Sequence, residues 1–200
     1  MTEKQYVYVG NYKEFSNSIL NEYSLPNKKT HKEWDKIRYL DLSTIIMKLC
    51  KDSCVQSGEE SLLHSNPYVI VERHHNILCK DGKVKNHFAT HTDRDGPAGG
   101  PCNSILYYYQ IDEDIEDVGL HFYKWSNKEH GIIDEKEPID TFIPNSGDLI
   151  TFKDNIPHCP GNFKTERKEH KIRGVIAIFI VHPVSNSKPL PKLNKCCIIS

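Results

Sequence analysis

Ala89-Thr90-His91-Thr92-Asp93-Arg94-Asp95-Gly96 reads as the end of a strand entering a glycine-proline loop, because Gly96-Pro97-Ala98-Gly99-Gly100-Pro101 follows at once. Residues two apart on a strand point to one face. That spacing sets the imidazole of His91 beside the carboxylate of Asp93. Far downstream, Gly147-Asp148-Leu149-Ile150-Thr151-Phe152 reads as a turn into a short strand, with His158 on the loop after it. Two imidazoles and one carboxylate suit a divalent metal held from one side, with the opposite side open. His91, Asp93 and His158 are therefore the candidate ligands. Arg173 heads the apolar run Arg173-Gly174-Val175-Ile176-Ala177-Ile178-Phe179-Ile180. A guanidinium there can grip the far carboxylate of a dicarboxylate through two hydrogen bonds.

The His91-x-Asp93 triplet occurs by chance when taken alone. With a strand-loop-His after Gly-Asp, and an Arg fifteen residues past His158 at the head of an apolar strand, it resembles the 2-oxoglutarate- and Fe(II)-dependent oxygenases. The resemblance runs from Pro67 to Pro183. It implies a mainly β fold with flanking helices (α+β), built as a double-stranded β-helix, the jelly-roll or cupin-like barrel. It implies Fe(II), 2-oxoglutarate and O2 as cofactors, with ascorbate as an auxiliary reductant. Three protein ligands would leave two metal positions for 2-oxoglutarate and one for O2. The reaction implied is hydroxylation of a substrate with release of succinate and CO2. A protein side chain, as in the prolyl-hydroxylase-like branch, is the expected substrate, although fifteen residues between His and cation is longer than is common there.

Under the same resemblance Arg173 is the expected 2-oxoglutarate anchor. Lys164, Arg167, Lys168 and Lys171 compete with it from the same basic loop. Arg167, nine residues after His158, matches a spacing that some family members use, but Lys-Glu-His follows it and no apolar strand supports it. Tyr107 and Tyr109 share one strand face, and either reads as a hydroxyl donor to the co-substrate carboxylate or as a core tyrosine with a satisfied hydroxyl. Asn103 and Ser104 are weaker candidates for that role.

A chain of 200 residues favours one domain with a real core. A net charge of −1 supplies no global field toward nucleic acid or an anionic membrane. The polar opening Met1-Thr2-Glu3-Lys4-Gln5 carries no secretion signal, and no apolar run is long enough to span a bilayer. Seven scattered cysteines then read as reduced thiols in a cytoplasmic protein, with the nucleus left open. The segment Asp112-Glu113-Asp114-Ile115-Glu116-Asp117 reads as a solvated hairpin tip; near a site mouth it would repel phosphate and favour a basic peptide. A nucleic-acid demethylase of the same superfamily, a non-catalytic peptide-binding barrel and a zinc hydrolase are the alternatives.

The chain divides into residues 1–66, a strand and helices bracing the barrel; 67–183, the oxygenase core; and 184–200, a tail. Strands are expected at 6–9, 68–73, 88–93, 104–110, 119–125, 139–143, 149–152 and 173–181, and helices at 11–24 and 31–52. The tail ends Cys197-Ile198-Ile199-Ser200, which resembles a prenylation box with Cys197 as acceptor, Cys196 as a palmitoylation site and Lys188, Lys192 and Lys195 in support. Membrane association is expected only through that lipid.

Overall fold

The computed structural model describes residues 4–22, 42–64, 68–80, 89–95 and 101–181. In chain order the elements are β1 (Val7–Asn11), α1 (Lys13–Glu22), α2 (Leu42–Ser57), α3 (Ser61–His64), β2 (Tyr68–Leu78), β3 (Cys102–Ile111), β4 (Leu120–Phe122), β5 (Lys124–Asn127), β6 (Ile132–Asp134), β7 (Asp140–Phe142), β8 (Asp148–Lys153), β9 (His158–Pro160) and β10 (Lys171–Val181). The fold is mainly β, with antiparallel sheets and few helices. A five-stranded sheet runs β1-β8-β3-β10-β2, a three-stranded sheet β7-β4-β9, and β5 pairs with β6.

Strand β10 sits inside the large sheet, paired with β2 from Lys171↔Leu78 to Val181↔Tyr68 and with β3 on its other side. A strand buried on both faces is apolar throughout, which is why 175–181 lacks polar alternation. The two faces pack differently. Ile105, Tyr107, Tyr109, Leu149, Ile176, Ile178 and Ile180 face the helices, against Ile19, Ile46, Leu49 and Leu62. On the opposite face Tyr108, Ile150, Phe152 and Val175 meet Leu120, Phe122 and Phe142 of the small sheet. Edge-to-face contact of Phe122 on Phe152 at 5.4 Å joins the two sheets. The candidate site lies on this side of the large sheet, where His158 of β9 packs on Phe152 of β8.

A bulge interrupts the β3–β10 ladder, where the register slips between Gly174 and Ile176. The Tyr109 ring lies over Gly174, so a Cβ there would stand 2.3 Å from the ring. Gly174→Ala is expected to destabilise the protein by about 1–3 kcal/mol through overpacking, read as a lower denaturation midpoint.

Several boundaries differ from expectation. Helix α2 runs on to Ser57 and stops at Gly58, whose φ of +74° suits a helix C-terminus. Residues 31–41 of the expected helix, including Trp34, Ile37 and Leu40, lie outside the described residues. Strand β2 continues five residues past Arg73 to Leu78. The segment 1–66 contributes an edge strand to the large sheet, because β1 pairs with β8. The tail, with Cys196 and Cys197, lies outside the described residues. No helix among those described is long and apolar enough to cross a membrane.

Candidate metal centre

The expected continuous strand over 88–93 is corrected. Residues 81–88 are not described, and over the described residues 89–95 the strand pairing is one isolated bridge, His91 to His158. The two residues exchange both backbone hydrogen bonds, at 3.0 and 2.9 Å. Directly opposed residues on antiparallel strands carry side chains on the same face a few ångströms apart. Accordingly the two imidazole rings lie 4.6 Å apart, centre to centre. His158 is not on a loop: it opens β9 and pairs with Phe122. Asp93 then enters from a short 3-10 turn, Asp93–Asp95, and not from the same strand face as His91.

The three donors converge. Asp93 Oδ1 stands 3.7 Å from His91 Nε2 and 3.6 Å from His158 Nε2. All three ligand atoms lie within 4.8 Å of one another. Each histidine donates its other ring N–H to a backbone carbonyl at 2.9 Å, His91 Nδ1 to Ala89 and His158 Nδ1 to Ile156. A carbonyl only accepts, so these bonds fix the proton on Nδ1 and turn the Nε2 lone pairs inward. Asp93 and His158 are buried, while the His91 side chain is 41% exposed. Burial holds the His158 imidazolium down against the pull of Asp93, which favours the neutral, metal-binding ring. The donor set fits a metal with mixed nitrogen and oxygen preference, approached from the His91 side.

Asp154 fixes the turn that carries Asp93. Its carboxylate accepts two bonds from Arg94, at 3.0 and 3.2 Å, and one from the Cys102 backbone N–H at 3.1 Å. Both flanks of the glycine-proline loop are thus tied to the end of β8. Asp154→Ala would release Arg94 and leave the Cys102 N–H buried without its acceptor, at a cost of about 1–3 kcal/mol. The expected result is a lower thermal midpoint together with weaker metal binding, measured on one preparation.

Arg173 points between the sheets and is 4% exposed. Its guanidinium carbon lies 4.5 Å from the Phe163 ring centre and 5.8 Å from that of Tyr108. Arg173 Nε and the Tyr108 hydroxyl are buried and have no hydrogen-bond partner among the described residues. Burial lowers the Arg173 pKa and pushes the Tyr108 hydroxyl up to about 12, against the pull of the Arg173 charge. A buried cation and a buried hydroxyl donor without acceptors form a site that a carboxylate would complete. The rival cations lie elsewhere: Lys164 on Glu116 at 3.1 Å, Arg167 on Asp114 at 3.0 Å and Lys171 on Glu169 at 3.2 Å, with Lys168 exposed.

The assignment of Tyr107 and Tyr109 to the co-substrate is corrected. Both face the helices. The Tyr107 hydroxyl donates to the Tyr12 carbonyl at 2.7 Å. The Tyr109 hydroxyl accepts from Arg73 Nε at 3.1 Å and shares a hydrogen bond with His75 Nδ1 at 2.6 Å. Tyr108, between them, turns to the site. Three consecutive tyrosines present the same residue type to both faces, so their alternation gives no parity. Of the weaker candidates, Ser104 bonds Asp93 itself.

No protein-family model matches the chain, and no curated protein matches its sequence. Among solved structures, a prolyl-4-hydroxylase from Pseudomonas putida is similar at a TM-score of 0.42 and 11% identity, over 90% of this chain and 89% of that one. A likeness so remote identifies neither the fold nor the reaction.

Proposed function

We propose that the chain is a 2-oxoglutarate- and Fe(II)-dependent oxygenase that hydroxylates a protein side chain, with release of succinate and CO2. One observation carries this reading: together with the two-histidine, one-carboxylate cluster, Arg173 Nε and the Tyr108 hydroxyl are buried with no hydrogen-bond partner among the described residues, on the face of the large sheet that meets the small one. A zinc hydrolase would use the first and leave the second without purpose.

The strand order supports a double-stranded β-helix. Strands β2, β10, β3 and β8 run side by side in one sheet, and β9, β4 and β7 run in the other, with His91 bridged to the free edge of β9. In this reading His91, Asp93 and His158 hold the metal. Arg173 and Tyr108 bind the far carboxylate of 2-oxoglutarate, with Phe163 fixing the guanidinium plane. Ser104, bonded to Asp93, and Tyr108 share one face of β3 four residues apart, a rise of roughly 13 Å, which suits a short dicarboxylate. Phe122 and Phe152 pack on His158, 6.3 and 4.7 Å from its ring, and exclude water from that side. Bound Fe(II), with 2-oxoglutarate and O2, supplies the oxidative decarboxylation and the hydroxylation.

Charge pairing favours a protein over a nucleic acid as substrate. Three cations of the basic run 164–171, Lys164, Arg167 and Lys171, pair with Glu116, Asp114 and Glu169. Asp112 accepts the Ile172 N–H at 2.8 Å, and Glu113, Asp114, Glu116 and Asp117 are exposed, as a solvated acidic segment requires, on the connection between the two sheets. Phosphate binding needs uncommitted cations. Succinate release is the test. Fe(II)-loaded protein with 2-oxoglutarate and O2 is expected to form succinate, faster with an accepted peptide. No 2-oxoglutarate consumption with any peptide or nucleic-acid pool would overturn the reading.

A further inference from the structure

Ser104 is wholly buried on the inward face of β3. Its Oγ donates a short hydrogen bond to Asp93 Oδ2. The other carboxylate oxygen, Oδ1, is the one that faces both His91 Nε2 and His158 Nε2. Protein therefore holds one oxygen of Asp93 and leaves the second to a ligand. The serine itself is rigidly placed. Its strand is paired on both sides, to Phe152 of β8 and to Phe179 of β10, and its carbonyl accepts from Thr151 Oγ1 at 2.9 Å.

We infer that Ser104 is a positioning residue that makes Asp93 a ligand through one oxygen only. The inference rests on the metal reading of His91, Asp93 and His158. A carboxylate free to rotate can bind a cation through both oxygens and occupy two coordination positions. The Ser104 hydrogen bond engages Oδ2, so Asp93 takes one position. A six-coordinate ion then keeps three free, the number needed for a chelating dicarboxylate and O2. The same bond fixes the carboxylate plane before metal arrives, as partners of metal ligands do elsewhere.

Purified metal-free protein is titrated with Co(II), whose visible spectrum reports coordination number, and with Mn(II). In Ser104→Ala the expected results are roughly 10- to 100-fold weaker binding of both ions, an altered Co(II) spectrum and little change in the thermal midpoint of the metal-free protein. Ser104→Cys fills the site with a slightly larger side chain and a weaker donor. It shifts affinity and spectrum in the same direction, and it carries the test if the alanine variant does not fold. Parent-like affinity and spectrum in the folded variants would overturn the role of Ser104 while leaving the metal site in place. Failure of the parent protein to bind either ion would instead overturn the metal reading, and this inference with it.

Discussion

Asp93→Ala is expected to abolish Fe(II) binding at micromolar metal and to reduce turnover to background, with the protein still folded. Asp93 carries the single formal charge of the three-donor cluster, and Oδ1 is the atom that both histidines face, at 3.7 and 3.6 Å. Without it, only the two imidazoles remain. Loss of an outer-sphere partner already costs about 10- to 100-fold in metal affinity, and loss of the charged ligand costs more. Folding suffers less, because the change also removes a buried carboxylate whose one described non-histidine partner is Ser104. Calorimetric titration checks binding, and circular dichroism checks the fold. Retained tight binding in this variant would remove Asp93 from the ligand set.

Arg173→Ala is expected to raise the 2-oxoglutarate requirement sharply and to spare metal binding. Losing one partner of a buried, hydrogen-bonded charge pair costs about 2–5 kcal/mol, or roughly 30- to 5,000-fold in affinity. Arg173 has no carboxylate partner among the described residues, so no ion pair seen there is lost when it is removed. Its packing on Phe163, with the guanidinium carbon 4.5 Å from the ring centre, is what stability would miss. Arg173→Lys keeps a charge but not the fork that binds a carboxylate twice, so an intermediate requirement is expected. Tyr108→Phe separates the two donors: it removes the unpartnered hydroxyl and preserves the ring. Equal 2-oxoglutarate dependence in parent and Arg173→Ala would assign the anchor elsewhere.

What the sequence allowed one to read, and what it hid, divides along the range of the interactions. The identities of His91, Asp93 and His158 follow from residue type and order, which are local. Their convergence does not. His91 meets His158 through a cross-strand bridge, and no spacing along the chain announces which strand will pair with which. Asp93 reaches the cluster from a 3-10 turn because pairing ends after that bridge. Arg173 stood out from Lys164, Arg167 and Lys171 because an apolar strand follows it, and buried strands anchor side chains where loops do not. The run Tyr107-Tyr108-Tyr109 carries no local sign of which ring lies under Arg173. Ser104 resembles any other small polar residue in the sequence, because what sets it apart is a contact with Asp93, eleven positions away on the 3-10 turn. The hairpin β5–β6 leaves little trace in the sequence because its strands are short and mostly exposed, with little apolar alternation.

The most direct measurement is an anaerobic titration of Fe(II) and then 2-oxoglutarate into the metal-free protein, followed in the visible spectrum. A charge-transfer band of the iron-bound keto acid should appear in the parent. It should be absent from Asp93→Ala, and it should need far more 2-oxoglutarate in Arg173→Ala. Iron binding without any band at saturating 2-oxoglutarate would contradict the oxygenase assignment and leave a metal site of another chemistry. No iron binding at all would contradict the metal centre itself.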